Sequence, residues 1–261
     1  MVWVAGHFGE WIQGRVGGTV ALVTMACREK GAAASWQDAR HLAIDDTTGL
    51  VGAARARVFL SALGLPERGV IRVVPDLPAG AGAGMSTAAL VALARAAGAG
   101  EDGIAAACLA VEGAVDPIML AAPEAVLWAP RKAVTLAPLP KAPRAEILGG
   151  LWGPPVPTDP RDMAFPEVDD LIAAWGSGPD LPEAARLASL SAARTTAFRG
   201  PRADPTSAFV DTLGALGWAR AHTGSARGLV FRPGEVPAGA EHALIAAGYR
   251  HVFRFLTGGR S

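Results

Sequence analysis

Pro78-Ala79-Gly80-Ala81-Gly82-Ala83-Gly84-Met85-Ser86-Thr87-Ala88-Ala89 separates a β-branched apolar run from an Ala- and Leu-rich one, and its reading decides the fold. The run before it, Val70 to Val74, has strand character, and Ser86 to Ala97 reads as a helix that ends at Gly98. A strand that enters a helix through alternating glycines makes a cradle for an anion. Glycine takes positive φ and lets a ligand approach the backbone closely, Ser86 and Thr87 offer an N-cap, and the free amides of the first helical turn attract phosphate. The loop is not a P-loop, since no G-x-x-x-x-G-K-[ST] occurs. It is not a dinucleotide fingerprint either, since no suitable acidic residue ends the following strand. Taken alone, it fits a structural connection as well as a nucleotide site.

Outward from this loop the pattern is mixed α and β. Strands are expected at Val2 to Ala5 and Thr19 to Cys27, and a helix from Thr48 to Leu63 precedes the Val70 strand. A second helix, Ile104 to Val115, follows the one after the loop, and two short strands flank Pro130-Arg131-Lys132. Pro138, Pro140 and Pro143 mark a crossing into a second region, so the chain divides into 1–140 and 141–261. In that second region the reading is a strand at Ala145 to Leu151, then helices at Val168 to Trp175, Pro182 to Phe198 and Thr206 to Leu216. Strands at Trp218 to His222 and Gly228 to Arg232 come next, followed by a helix at Ala238 to Ala247 and a strand at His251 to Leu256.

The composition narrows the class of function. Of 261 residues 51% are apolar, and Lys plus Arg equal Asp plus Glu at 24 each. No basic run offers nucleic acid or an anionic membrane its electrostatic footprint, so the expected partner is a small molecule. With no charged leader before an apolar segment and no long uninterrupted apolar stretch, the expected location is the cytoplasm. Cys27 and Cys108, far apart in apolar surroundings, read as buried thiols. Nothing in the sequence indicates an oligomeric state.

Two carboxylates, Glu112 and Asp116, are four residues apart, which on a continuous helix places both on one face, where they can share a magnesium ion. Asp116 before Pro117 also has the form of a helix N-cap. Glu10 lies in a Gly- and aromatic-rich segment read as a loop, where a substrate ammonium is a natural counter-ion. His7 and His222 read as hydrogen-bonding residues beside turns. Arg227 is suited to a phosphate or a carboxylate, and equally to a solvated loop. Thr24 faces either a substrate or a backbone partner.

Three of these segments together resemble the motifs of the GHMP kinase superfamily, in its order and spacing. Gly6-His7-Phe8-Gly9-Glu10-Trp11-Ile12-Gln13-Gly14 is similar to the G-E-L-x-Q-G signature of the threonine kinase branch of cobalamin biosynthesis, with Trp11 where a smaller aliphatic is usual. The glycine loop is similar to P-x-x-x-G-x-x-S-S-A, and His222-Thr223-Gly224-Ser225-Ala226-Arg227-Gly228-Leu229-Val230 to the third motif, with Ala226 at a glycine position.

The resemblance implies an α+β, two-domain GHMP kinase fold. Its N-terminal ribosomal-protein-S5-domain-2-like domain would contain a left-handed β-α-β unit, and its C-terminal domain would be a ferredoxin-like α/β sandwich. It implies ATP held by Pro78, Gly80, Ala81, Gly82, Ala83, Gly84, Met85, Ser86 and Thr87, and Mg²⁺ held by Glu112 and Ser86. Asp116 would act as base or positioning group, with Glu10, Gln13, Thr223, Gly224 and Ser225 near a small hydroxyl-bearing substrate. In the threonine branch that substrate is L-threonine and the product O-phospho-L-threonine. The alternatives are another small alcohol, such as homoserine or an isoprenoid precursor, and a non-catalytic ATP-binding regulator of the same fold.

Overall fold

Val2–Val16 (β1) and Thr19–Gln37 (β2) form a long antiparallel hairpin. They turn through Gly17-Gly18, whose φ values of +52° and +76° match the two-residue turns that suit strand twist. The computed structural model describes residues 1–258. From Gly6 to Gly14 every residue of β1 is buried, because helices cover it as well as its partner strand. This corrects the loop expected around Glu10. A strand buried on both faces does not alternate, so periodicity ended it at Ala5.

After the hairpin come Leu42–Asp45 (β3), Ala53–Ala62 (α1) and Gly69–Pro75 (β4), with β3 and β4 parallel. The helix expected from Thr48 begins later because the Asp46 carboxylate accepts hydrogen bonds from the amides of Thr48, Gly49 and Val51, which commits those residues to a turn. Met85–Ala96 (α2) and Ile104–Glu112 (α3) follow the glycine loop, then Val126–Ala129 (β5) and Val134–Pro138 (β6). The remainder is Ala145–Leu151 (β7), Asp169–Gly176 (α4), Leu181–Arg199 (α5), Ala208–Leu213 (α6), Gly217–Arg220 (β8), Ala226–Phe231 (β9), Ala240–Ala246 (α7) and Arg250–Thr257 (β10).

The described strands form one α+β assembly with the sheet order β10-β7-β9-β8-β1-β2-β4-β3, and β5 and β6 attach beside β2. The two halves of the sheet meet at a single residue pair, Glu10 opposite Arg220. A large apolar core lies between the sheet and α1 to α5, and a smaller one gathers Leu148, Trp218, Leu229, Phe231 and Leu244 around β7, β9 and α7. Trp11 is fully buried, its ring 5.6 Å from that of Trp175 on α4, so the larger residue in the first motif fills core space. Cys27 and Cys108 are unpaired and buried, and burial pushes the Cys27 thiol up to about 12. No helix among the described residues is long and apolar enough to cross a membrane.

The core position of Trp11 predicts that Trp11→Ala lowers unfolding stability by about 3–5 kcal/mol. The same change at Phe198, which is 58% exposed, is expected to cost less than about 1 kcal/mol. Urea denaturation of the two variants checks the contrast.

Candidate active site

A cleft of about 670 Å³ opens where the glycine loop, the end of α3, the start of α1 and the turn after β8 converge. Pro78, Gly80, Ala81, Gly82, Ala83, Gly84, Met85, Ser86 and Thr87 all line it. The loop is tied down by its carbonyls. Gly80 O accepts from Val156 N, Ala81 O from Ser225 N and Ala226 N, Gly82 O from Gly9 N, and Ala83 O from His7 N, at 2.8–3.3 Å. None of the amides from Gly80 to Thr87 finds an acceptor among the described residues. With carbonyls spent and amides bare at the head of the 12-residue α2, the loop presents an array of donors backed by a helix dipole. Gly82 makes this possible: its φ is +75°, and a Cβ there would lie 2.2 Å from Thr223 O. Gly224 answers from the other side, since a Cβ on it would meet Gly80 O at 2.6 Å.

Glu112 ends α3 with its carboxylate aimed at the head of α2. Oε2 accepts from Thr87 Oγ1 at 2.8 Å, and Oε1 takes Ser86 Oγ and Arg55 Nη2, the latter at 2.8 Å. Burial raises its pKa against the pull of Ser86, Thr87 and Arg55. Arg55 on α1 also bonds Ser86 Oγ at 2.9 Å. It had no motif to announce it in the sequence, where it is an Arg in an ordinary helix. The Ser86 hydroxyl and the Glu112 carboxylate are hard oxygen donors of the kind Mg²⁺ takes, and Arg55 supplies the positive charge beside them in this structure. No cluster of three or more His, Cys, Asp or Glu side chains is assembled for a metal among the described residues.

Asp116 is not on a helix face shared with Glu112. Gly113, at φ +68°, ends α3, and Val115 is bracketed by Pro130 O and the Trp128 indole, so Asp116 enters the cleft from extended backbone as the N-cap of a short 3-10 turn. Both carboxylates still reach the same cavity. Asp116 Oδ2 lies 3.1 Å from His7 Nε2. Burial alone would lower the His7 pKa, but the Asp116 charge and hydrogen bond, with Glu10 and Gly9 O, outweigh it and bring it to about 9. Burial raises Asp116 in turn, yet His7 wins and holds it below the usual carboxylate range.

Glu10 sits at the irregular register of β1 and is 2% exposed. Oε2 accepts from His222 N at 2.7 Å, and burial pushes its pKa up to about 7 despite His7 at 3.8 Å. The His222 ring stacks on Phe165 and is kept neutral, its pKa down to about 3, by burial and by Arg131 and Arg199.

Thr223 lines the cleft and its hydroxyl meets Thr158 Oγ1 at 2.7 Å. Gly224 and Ser225 do not line it; they brace the loop through backbone contacts. Gln13 is also kept from the cleft, because its backbone bonds Ser191 and its Nε2 donates to Arg220 O, spacing β1 from α5 and β8. Arg227 is committed to Asp204 at 2.5 Å and to the carbonyls of Gly224 and Ala226. Thr24 is buried, and its hydroxyl has no hydrogen-bond partner among the described residues.

A scan against protein-family models finds no match, and a search of curated proteins finds none either. Solved structures do match over nearly the whole chain. The mevalonate kinase of L. major, solved in complex with R-mevalonate, aligns with TM-score 0.63 and 12% identity, covering 98% of this chain and 94% of the other. A homoserine kinase from Cytophaga hutchinsonii gives TM-score 0.61 and 15% identity, covering 98% and 95%. A 4-(cytidine 5'-diphospho)-2C-methyl-D-erythritol kinase gives TM-score 0.57 and 18% identity, covering 100% and 99%. The chain therefore has the α+β fold of these kinases.

The His7–Asp116 pair carries a pH signature. Because the folded pKa of His7 is raised from 6.5 to about 9, its stabilisation is complete below pH 6.5 and lost as pH rises through about 9. The stability difference between the unmodified protein and His7→Gln is expected to narrow from neutral pH to about pH 10 in denaturation curves. A difference constant with pH would contradict the pairing.

Proposed function

We propose that the chain is an ATP-dependent kinase of the GHMP superfamily that transfers the γ-phosphoryl group to a hydroxyl of a small molecule. The observation that carries this reading is the glycine loop, whose carbonyls are consumed and whose amides are bare, facing Glu112 and Asp116 across one cleft. In this reading the phosphates of ATP lie over the amides from Gly80 to Thr87. Ser86 and Glu112 would hold magnesium, which neutralises charge on the terminal phosphates. Arg55, bonded to the same two side chains, yields that place and turns to the phosphates.

Asp116, kept ionised by His7, accepts a hydrogen bond from the acceptor hydroxyl and points its oxygen at the γ-phosphorus. The bond from phosphorus to the β–γ bridging oxygen breaks as the new P–O bond forms, and the hydroxyl proton passes to Asp116. A carboxylate with a low pKa is a weak base, so orientation is its larger contribution, as suits a loose transition state in which proton loss comes late.

The finer assignment to L-threonine, with O-phospho-L-threonine feeding cobalamin synthesis, rests on the Gly9-Glu10-Trp11-Ile12-Gln13-Gly14 segment. Homoserine or mevalonate, the substrates for which two of the structural neighbours are named, are the competing acceptors. The division into 1–140 and 141–261 belongs to the same reading.

ADP release from Mg-ATP, measured with L-threonine, L-serine, L-homoserine and mevalonate, tests this. Glu112→Ala is expected to lower turnover about 100-fold or more, and Asp116→Asn by about 100- to 10,000-fold. Turnover with mevalonate alone would remove the threonine assignment. ATP binding with no turnover on any alcohol would favour a nucleotide-binding regulator.

A further inference from the structure

Two charges in the cleft wall have no task in phosphoryl transfer. The first is Glu10. His7 is the imidazolium between Asp116, at 3.1 Å, and Glu10, at 3.8 Å, so its charge is shared by two carboxylates, and Arg220 adds only a weaker pull on Glu10. Glu10 Oε2 takes the His222 amide, while Oε1 makes no hydrogen bond among the described residues, although the side chain lines the cleft. A buried carboxylate with a free oxygen and half a counter-ion is set for a cationic ligand.

The second is Arg131, in the turn between β5 and β6. Its guanidinium lies over the Phe165 ring at 5.2 Å, with Nε bonded to Pro160 O at 3.1 Å and Nη2 3.4 Å from Asp159 O. Nη1 faces the ring nitrogen of the neutral His222 at 3.4 Å. No carboxylate lies within salt-bridge distance of Arg131 among the described residues. The acids nearby are taken: Asp162 pairs with Arg199 at 2.5 Å and Asp159 with Arg161 at 3.2 Å. A planar donor fork held in place by neutral groups, on a wall of the cavity, suits a carboxylate.

His222 joins the two, giving its backbone amide to Glu10 and its ring to Arg131. We propose that Glu10 and Arg131 form a two-point subsite for the α-ammonium and α-carboxylate of an amino-acid acceptor, a deeper reading that rests on the phosphotransfer assignment above. An acceptor held at both ends presents its side-chain hydroxyl toward Asp116 and the phosphate loop. An alcohol without an ammonium group forgoes the ion pair with Glu10, and that missing interaction is what discriminates against it.

The test compares L-threonine with threoninol, which lacks the carboxylate, and N-acetyl-L-threonine, which lacks the ammonium charge. For the unmodified protein, L-threonine is expected to be the better substrate by roughly 30-fold or more over either analogue. In Arg131→Gln the preference over threoninol collapses toward one while that over N-acetyl-L-threonine persists; Glu10→Gln does the reverse. Arg131→Lys restores part of the first preference. A structural role alone would weaken all three acceptors equally, and that result would overturn the proposal. So would a loss confined to the KM for ATP. Calorimetric titration of L-threonine separates this from failure of the kinase reading. L-threonine binding that disappears in both variants while ATP binding persists supports the subsite even without turnover, whereas threonine binding retained in both, or lost together with ATP binding, overturns it.

Discussion

Four consecutive carbonyls, Gly80 to Ala83, accept amides from three parts of the chain remote from one another: β1, the stretch after β7, and the turn leading into β9. This exchange decides which side of the loop is available. A backbone that gives its acceptors to its own protein has only donors left for a ligand, and donors at a helix N-terminus bind anions. The same bonds bring His7 and Gly9 against the loop, and with them Glu10 and the only pair that links the two halves of the described sheet. Small residues are required on both sides of the contact, because a side chain at Gly82 or Gly224 would occupy the space of the opposing backbone.

The electrostatics around His7 follow from burial acting on three charges. One imidazolium stands between two carboxylates and binds the nearer, so Asp116 is held below and Glu10 raised above the ordinary range. Pairs of titratable groups driven apart in this way carry different tasks. In the proposed reading the low-pKa carboxylate holds and orients a hydroxyl, and the raised one receives a cation. Across the cavity Arg55 Nη2 bonds both Ser86 and Glu112, while its own Nε finds no partner among the described residues.

Much of this was legible in the order of residues. The glycine alternation before α2 announced a tight loop because only glycine reaches positive φ cheaply, and Gly80, Gly82 and Gly84 have φ near +70°. The helices after the loop, the β5–β6 pair and the burial of both cysteines also followed from local pattern. β1 did not, because a strand covered on both faces has no alternation and its glycines imitate a loop. Glu112 and Asp116 were expected on one helical face, but Gly113 ends the helix, and they meet only because the chain turns back past Val115.

By itself, the sequence determined the positive-φ glycine loop at the head of α2 and the residue types near it, since these depend on local conformational freedom and on which groups can bind anions or cations. Tertiary structure alone decided which of those residues share the cleft. It turned Gln13, Ser225 and Arg227 into braces and committed pairs, and brought Arg55, His7 and Arg131 to the cavity. The reason is physical: the direction of a side chain depends on register, on helix ends and on competition for hydrogen-bond partners among segments as much as 212 residues apart, which no short window of sequence contains.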